Sequence, residues 1–383
     1  MQLILVDNTE VWERLKPLTL TRPCAALPLP LGDTIASRWV RLLPEAEVAY
    51  ETAPYLAAKF PGSDGADAIR IAGHFLPTPG LAADLKALEP GEYLATPEGE
   101  VIARRGEART LKATHSPRAY RRLPDIFQQS RELIAEDFDT YIANRADSQP
   151  LPATSTLIGP ADRLYIAPGA TVEGVIVNTT QGPVYIGADA EIQELTALRG
   201  PVSIGRGCRV RAGARLLSGT NLGPVTRVGG EISNAIFLGY ANKQHDGFLG
   251  DAVIGEWVNI GAGCVASNLK NDYAEIRLWS YPSRRFERIG ALFCGPIIGD
   301  HTKVAINTCL NTATVLGVGC NIHGSGYPRP FTASFTDGGL QSAGRVVLKK
   351  MLSTAKTAMS HRDVELTDAD TEILTHIYND PNA

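Results

Sequence analysis

The sequence has no surplus of positive charge, no long apolar run and no paired cysteines, and each absence removes a class of function. Lysine and arginine number 37 against 41 aspartate and glutamate, a formal net charge of -4 over 383 residues. That balance does not draw a chain to nucleic acid or to an anionic membrane, and neither partner is expected. No stretch approaches the roughly eighteen apolar residues that cross a bilayer. The opening MQLILVDNTE has no basic segment ahead of an apolar one, so nothing resembles a secretory leader. Six cysteines (Cys24, Cys208, Cys264, Cys294, Cys309, Cys320) form no C-x-x-C pair, which suits free thiols in a reducing compartment. A cytoplasmic chain is expected. The seven histidines include no close pair of the kind a three-histidine zinc site needs, so no metal site is expected in the repeat region.

What the sequence does have is a period of six. Aliphatic residues fall at Ile186, Ile192, Leu198, Ile204, Val210, Leu216, Leu222 and Val228. A second phase holds Phe248, Ile254 and Ile260, and a third holds Ile298, Val304, Leu310, Leu316 and Ile322. An α-helix would repeat at three and four residues and a flat strand at two. A six-residue step makes a short strand and a turn with one side chain pointing inward. Three steps close a triangular coil, and successive coils pair as parallel strands about 4.8 Å apart. The repeat runs from about Leu157 to Ile322, within a β-helix domain expected over residues 151–335. Two stretches, 231–247 and 267–294, break the period. Both are expected to leave the side of the prism as loops, which is where chemistry should sit.

Ahead of the repeat, residues 1–115 alternate between strand patterns (3–6, 45–50, 66–73) and helix patterns (33–43, 81–88), the rhythm of an α/β domain. Residues 116–150 read as a helical connector. Residues 336–383 read as helices that cap the solenoid or reach a neighbouring subunit.

Around His245 the chain reads Lys243-Gln244-His245, then Leu249-Gly250-Asp251, Ile254-Gly255, Asn259-Ile260-Gly261-Ala262-Gly263 and Asn268. This order closely resembles the acetyltransferase half of the GlmU-like family, the bifunctional glucosamine-1-phosphate N-acetyltransferases and N-acetylglucosamine-1-phosphate uridyltransferases. It is closer still to a divergent bacterial branch with a shortened front domain. The motifs match over roughly residues 205–310, and the architecture matches over the whole chain. The resemblance implies a left-handed parallel β-helix of hexapeptide repeats, a homotrimer, and acetyl-CoA and an amino-sugar phosphate as substrates. It implies His245 as general base with Asn268 beside it. Arg211, Glu231, Lys243, Asn259 and Lys270 become substrate contacts, and Lys303, Ala305 and Arg329 contacts to the CoA donor. Imidazole suits the first role, because an amine attacking a thioester must lose a proton, and such help is worth about 10²–10⁴ in rate. The bland alternatives are a surface histidine, a corner arginine in solvent, and asparagines chosen for left-handed turns. Three departures leave the acyl acceptor open. Phe248 stands where the family has tyrosine, and Ser233 where it has lysine. The second excursion is longer and carries Trp279, Tyr281, Arg284, Arg285 and Phe286.

The front domain resembles sugar nucleotidyltransferases in Pro17-Leu18-Thr19, Arg22-Pro23 and residues 27–32. Those enzymes hold triphosphate on a glycine-rich loop and Mg²⁺ on an aspartate. Here the first strand runs into Asp7-Asn8-Thr9-Glu10, without glycine, and a later strand ends Ile71-Ala72-Gly73-His74, without a carboxylate. Asp7 and Arg22 are the best remaining candidates, and Mg²⁺ is expected only if this domain is active. Acyl transfer leads. Nucleotidyl transfer, with the β-helix as a trimerisation scaffold, stays open, as does a scaffold without catalysis.

Overall fold

The structure is a computed structural model that describes residues 1–65, 67–106, 109–114, 116–339 and 343–383. Ala66, in the strand expected over 66–73, and His115, at the expected first boundary, lie outside the described residues. The chain forms two compact units. One comprises Met1–Leu27, Asp33–Asp125 and Thr367–His376; the other comprises Pro28–Gly32, Ile126–Leu366 and Ile377–Ala383. The first unit therefore runs past residue 115 and takes in part of the last helix. No helix among the described residues is long and apolar enough to cross a membrane.

The first unit is built on a six-stranded mixed sheet in the order β2-β1-β3-β5-β4-β6. Its strands are β1 (Gln2–Val6), β2 (Glu47–Glu51), β3 (Ile69–Ala72), β4 (Glu92–Ala95), β5 (Val101–Arg104) and β6 (Arg109–Lys112). β1 runs parallel to both β2 and β3. Helices α1 (Thr9–Arg14) and α2 (Ile35–Leu42) lie between β1 and β2, and α3 (Pro79–Lys86) lies between β3 and β4. Thr34 opens α2 with a capping box to Ser37. Strands β4 to β6 and helix α1 were not among the elements expected from the sequence. Within this unit the last helix is held by the Lys59–Asp370 ion pair (2.7 Å) and by Tyr55 stacked on His376 at 4.0 Å.

In the second unit, α4 (Leu123–Gln128, of which residues 126–128 fall in this unit) and α5 (Ser130–Tyr141) precede a three-sided parallel β-helix. The first face has six strands from Thr156–Ile158 to Phe248–Gly250. The second has nine, from Leu164–Ile166 to Phe331–Thr332. The third has ten, from Thr171–Val172 through Thr336–Gly338 to Ala343–Arg345. All eight residues of the long hexad phase are at most 1% exposed and share one continuous core. The coils continue past Ile322 to Gly338, whose strand pairs with Asn321–Ile322.

The two expected excursions differ. Residues 267–294 do leave the prism, folding into an antiparallel hairpin of Arg277–Ser280 and Arg285–Arg288. Residues 231–247 do not leave it, which corrects the expectation. Glu231–Ser233 pairs with the strands before and after it, and Ile236–Phe237 and Asn242–Lys243 also sit in register. The period breaks because corners are shortened. Inward residues fall four apart from Val228 to Ile232, five apart to Phe237, six apart to Lys243 and six apart to Leu249. The inward side chain of the next phase is therefore Leu249 (2% exposed), while Phe248 points outward beside Glu231.

At the edge between the second and third faces, each coil turns through a left-handed residue three positions after the strand. Val225, Tyr240, Trp257, His301 and Phe335 have φ of 56°, 53°, 61°, 60° and 59°. Such backbone costs about 1–2 kcal/mol for a residue with a Cβ. Packing offsets it: Tyr240 stacks on Trp257 at 4.4 Å and Trp257 on His301 at 6.4 Å. Helix α6 (Leu348–Ser360) lies along this edge instead of capping the end. Its Met351 approaches Gly319 near Phe335, and Arg362, just beyond it, donates to Val225 O at 3.2 Å.

The inward positions should dominate stability. Replacing Ile204 (0% exposed) by alanine opens a void in the bore and should cost about 2–5 kcal/mol. The same change at Ile176, 47% exposed on the outer first face, should stay within about 0.5 kcal/mol. Thermal unfolding of the two variants should separate clearly; equal shifts would contradict the bore as the source of stability.

Candidate active site

The edge between the third and first faces carries the sequence candidates that come together. Each coil turns there just after its inward third-face residue: Arg211 follows Val210, Gly229 follows Val228, Gln244-His245 follows Lys243, Gly261 follows Ile260 and Ala305 follows Val304. A Cβ on Gly229 would lie 3.3 Å from the Arg211 Cβ and would overlap Gln244 O, so these turns stack directly. Arg211 and His245 are thus two coils apart, about 10 Å at the strand spacing, and Ala305 lies two coils further on. The Arg211 and His245 side chains are both exposed.

The His245 turn is held at three consecutive carbonyls. Lys243 Nζ donates to His245 O, Gly263 N–H donates to Asp246 O at 3.1 Å, and Glu231 N–H donates to Gly247 O at 3.2 Å. Gly247 has φ of 129°, and a side chain there would overlap Cys264 O, so the close approach requires glycine. The backbone is pinned while the imidazole faces outward.

Lys243 is a correction. Expected as a substrate contact, it is 1% exposed and occupies the inward rung between Val228 and Ile260. Its ammonium lies inside the prism and cannot touch a ligand outside. Burial lowers its pKa, against smaller raising effects of Cys264 and Asp246. Counting six back from Leu249 would have placed it inward; anchoring the phase on Phe248 hid it.

Asn268 stands at the opposite edge of the first face, in a different cluster. Its Nδ2 donates to Asp251 Oδ2 at 2.7 Å, while Asn234 Nδ2 donates to Asp251 Oδ1 at 2.6 Å. The two amides fix Asp251, and Asp251 fixes both amides. They line a cavity of about 460 Å³ with Ser233 and Arg131. A Cβ on Gly250 would meet the Phe248 ring at 2.6 Å and Asn268 Nδ2 at 2.9 Å, so glycine there keeps the asparagine open. Asp251 was legible only as part of a motif string, and Asn234 had no sequence signal.

The remaining candidates scatter. Glu231 pairs with Arg215 across the outer first face at 3.1 Å. Asn259 accepts from Asn242 at 2.7 Å on the third face. Lys270 donates to Glu275 O at 3.2 Å within the insertion. Arg329 is exposed in the loop ahead of Phe331–Thr332. Lys303 does not join Ala305 on the edge. It extends toward α6 and donates to Trp257 O at 2.5 Å. There it lines a cavity of about 340 Å³ with Asn321, Asp337, Lys350 and Met351, and burial pulls its pKa down to about 8. The insertion is anchored by aromatics, Trp279 stacking on Phe331 at 4.1 Å and Tyr281 meeting that ring edge-on.

In the first unit, the crevice outside the carboxyl ends of β1 and β3 is where an open α/β sheet takes its ligand. It is filled by the chain itself. Asp7 accepts from Cys24 N–H at 2.8 Å and from Thr52 Oγ1 at 2.5 Å, and burial raises its pKa. Gly73 donates to Val6 O at 2.7 Å and packs on Ala25. Arg22 is 4% exposed. Asn8, where a phosphate loop would start, caps α1 through Val11 N–H. His74 is buried against Phe75, 3.4 Å from Glu100, and desolvation lowers its pKa. Among the described residues no group of three His, Cys, Asp or Glu is placed to hold a metal ion.

Residues 3–146 match the family model described as sugar nucleotidyl transferase. Similar curated proteins are named Bifunctional protein GlmU. That of Heliobacterium modesticaldum is 26% identical over 266 residues, 63% of this chain and 54% of that protein. That of Polaromonas naphthalenivorans is 39% identical over 88 residues, 22% of this chain and 19% of that one. That of Methylibium petroleiphilum is 32% identical over 141 residues, 36% and 26% of the two. The chain thus spans about half the length of the first of these relatives and about a quarter or less of the other two. Among solved structures, the UDP-N-acetylglucosamine O-acyltransferase (LpxA) of Moraxella catarrhalis aligns with 11% identity and a TM-score of 0.22, covering 60% of this chain and 96% of that one.

Lys303 generates a pH prediction. An unfolded lysine titrates near 10.4, so between about pH 8 and about 10.4 the unfolded chain binds more protons at this position than the folded one. Stability should therefore rise with pH across that window. Lys303→Met should remove that part of the slope. Parallel thermal-midpoint curves for the two proteins from pH 7 to 10 would contradict the burial of this amine.

Proposed function

We propose, from the premise of a GlmU-like family for this chain, that the β-helix transfers an acetyl group from acetyl-CoA to the amino group of a sugar phosphate, with His245 as general base. The observation that carries this is the stacking of Arg211, His245 and Ala305 in the turns of one edge. In the proposed step the amine attacks the thioester carbonyl. A C–N bond forms, the C–S bond breaks, and the imidazole takes the amine proton and returns one to the thiolate. The Arg211 guanidinium, which reaches several ångströms from its turn, suits the phosphate of the acceptor. The donor lies on the Ala305 side. Asn268 stands at the far edge of the first face, so its meeting His245 at one reacting centre calls for a second copy of the chain. A homotrimer would supply one and would also cover Leu195 and Ile306, which are 78% and 68% exposed on the His245 edge.

Nucleotidyl transfer by the first unit is the second reading, favoured by the family model over residues 3–146. The residues present do not fit a Mg²⁺-triphosphate. Both Asp7 oxygens are engaged by Cys24 and Thr52, and Cys24-Ala25 closes the crevice. The domain serves better as a structural or sugar-phosphate-binding unit.

Thiol release from acetyl-CoA with glucosamine 1-phosphate tests the leading reading. His245→Ala should lower it about 10²–10⁴-fold; an unchanged rate would remove His245 as the base. Pyrophosphate release from UTP and a sugar 1-phosphate should stay at background.

A further inference from the structure

An inward rung of this prism is a place for an aliphatic side chain. On the third face the inward ladder reads Ile192, Val210, Val228, Lys243, Ile260, Val304, Ile322. Six of the seven are aliphatic, and all are at most 2% exposed. A lysine in that series loses the hydration of its ammonium, a large cost unless the group finds acceptors. Snorkelling to solvent is the usual escape, and Lys243 does not take it. Its Nζ turns to the main-chain carbonyl of His245 from inside the bore.

The surroundings make that bond selective. The neighbouring carbonyls of the turn, those of Asp246 and Gly247, already accept from Gly263 and Glu231. Main-chain N–H groups of the adjacent coils thus hold two of the three carbonyls, and the third is held by Lys243. Without it the His245 carbonyl loses its lysine partner, and that peptide adjoins the Cα from which the imidazole projects. The closeness of Gly247 to Cys264 O and to the Lys243 amine shows how little room the turn leaves for another arrangement.

We infer that Lys243 is the positioning residue of the His245 turn, an internal cation that latches the loop from within the β-helix and aims the imidazole at the outer edge. It makes no contact with substrate. The role as regards catalysis rests on His245 being the base; the latch itself does not.

Lys243→Met in the full chain tests it, since methionine fills the rung without a donor. Two measurements are read. Amide hydrogen exchange at Glu231 and Gly263, whose N–H groups bond the turn, should speed up about tenfold or more, while Arg209 and Arg227, which pair elsewhere in the coils, keep their rates. In the thiol-release assay kcat should fall about 10²-fold, the cost of a misplaced catalytic group, with KM for acceptor and donor unchanged. Unchanged exchange would overturn the latch. Faster exchange with an unchanged kcat, or a change confined to KM, would overturn the positioning role. If Lys243→Met does not fold, Lys243→Gln carries the same readouts with a shorter neutral donor and should give an intermediate effect; wild-type exchange and kcat in that variant would overturn the inference. Failure of the acyl-transfer reading shows separately, as a wild-type rate that His245→Ala does not change, and leaves the exchange result to decide the latch.

Discussion

The second unit depends on one constraint: every coil of a three-sided β-helix must fill its own inside, because no other element can. Each rung contributes one side chain per face, and the stacked rungs from Val172 to Ile322 form a single apolar column. Burying each aliphatic group stabilises the coil by about 1.5–3 kcal/mol, and no coil has a core apart from its neighbours. Insertions are accommodated only at corners. That is why the chain shortens its turns between Val228 and Phe237 without losing register, and why the long 267–294 segment leaves at a corner and returns through the Leu269–Phe293 bridge.

The same constraint explains the division of labour among the edges. Inward side chains are committed to packing and outward ones sit on flat faces, so turns are the places where a side chain can both project and be held. One edge uses that freedom for structure: its left-handed corner residues stack as Tyr240, Trp257 and His301, and α6 lies beside them. At the edge of Arg211, His245 and Ala305 the turns are small and close enough to stack backbone on backbone. A polar residue inside the column, Lys243, faces the second kind of edge.

Much of this was legible in the amino-acid order, and the losses have physical causes. A period of six carried the solenoid and its inward residues wherever the corners had constant length. It failed at residues 231–247 because a shortened corner changes the count without changing the coil, which makes continuous strands read as an excursion. Phe248 was then counted inward on hydrophobicity, although the smaller Leu249 fills the bore. The outward role of Lys243 came from the resemblance, and counting from Phe248 instead of Leu249 kept the period from correcting it, since neighbouring strand positions face opposite ways. Arg211, Ala305 and His245 were singled out from their motifs, and the coils bring the three turns to one edge. The Asp251 network was not singled out, because Asn234 and Asn268 meet through the fold and lie 34 residues apart in the chain.

The first unit sharpens the case for chemistry on the solenoid. A nucleotidyltransferase domain needs an open crevice at the ends of its central strands, with main-chain N–H groups free to face phosphate. Here the N–H of Cys24 is spent on Asp7, and the N–H of Gly73 on Val6. Asn8 turns the chain directly into α1. Reopening the site would mean displacing a buried segment whose Leu18, Leu20, Cys24 and Leu27 are at most 2% exposed, an expensive rearrangement for a ligand with no loop waiting to receive it. The segment that matches the sugar nucleotidyl transferase model has its crevice filled by its own chain. A side chain committed to packing cannot also bind a triphosphate.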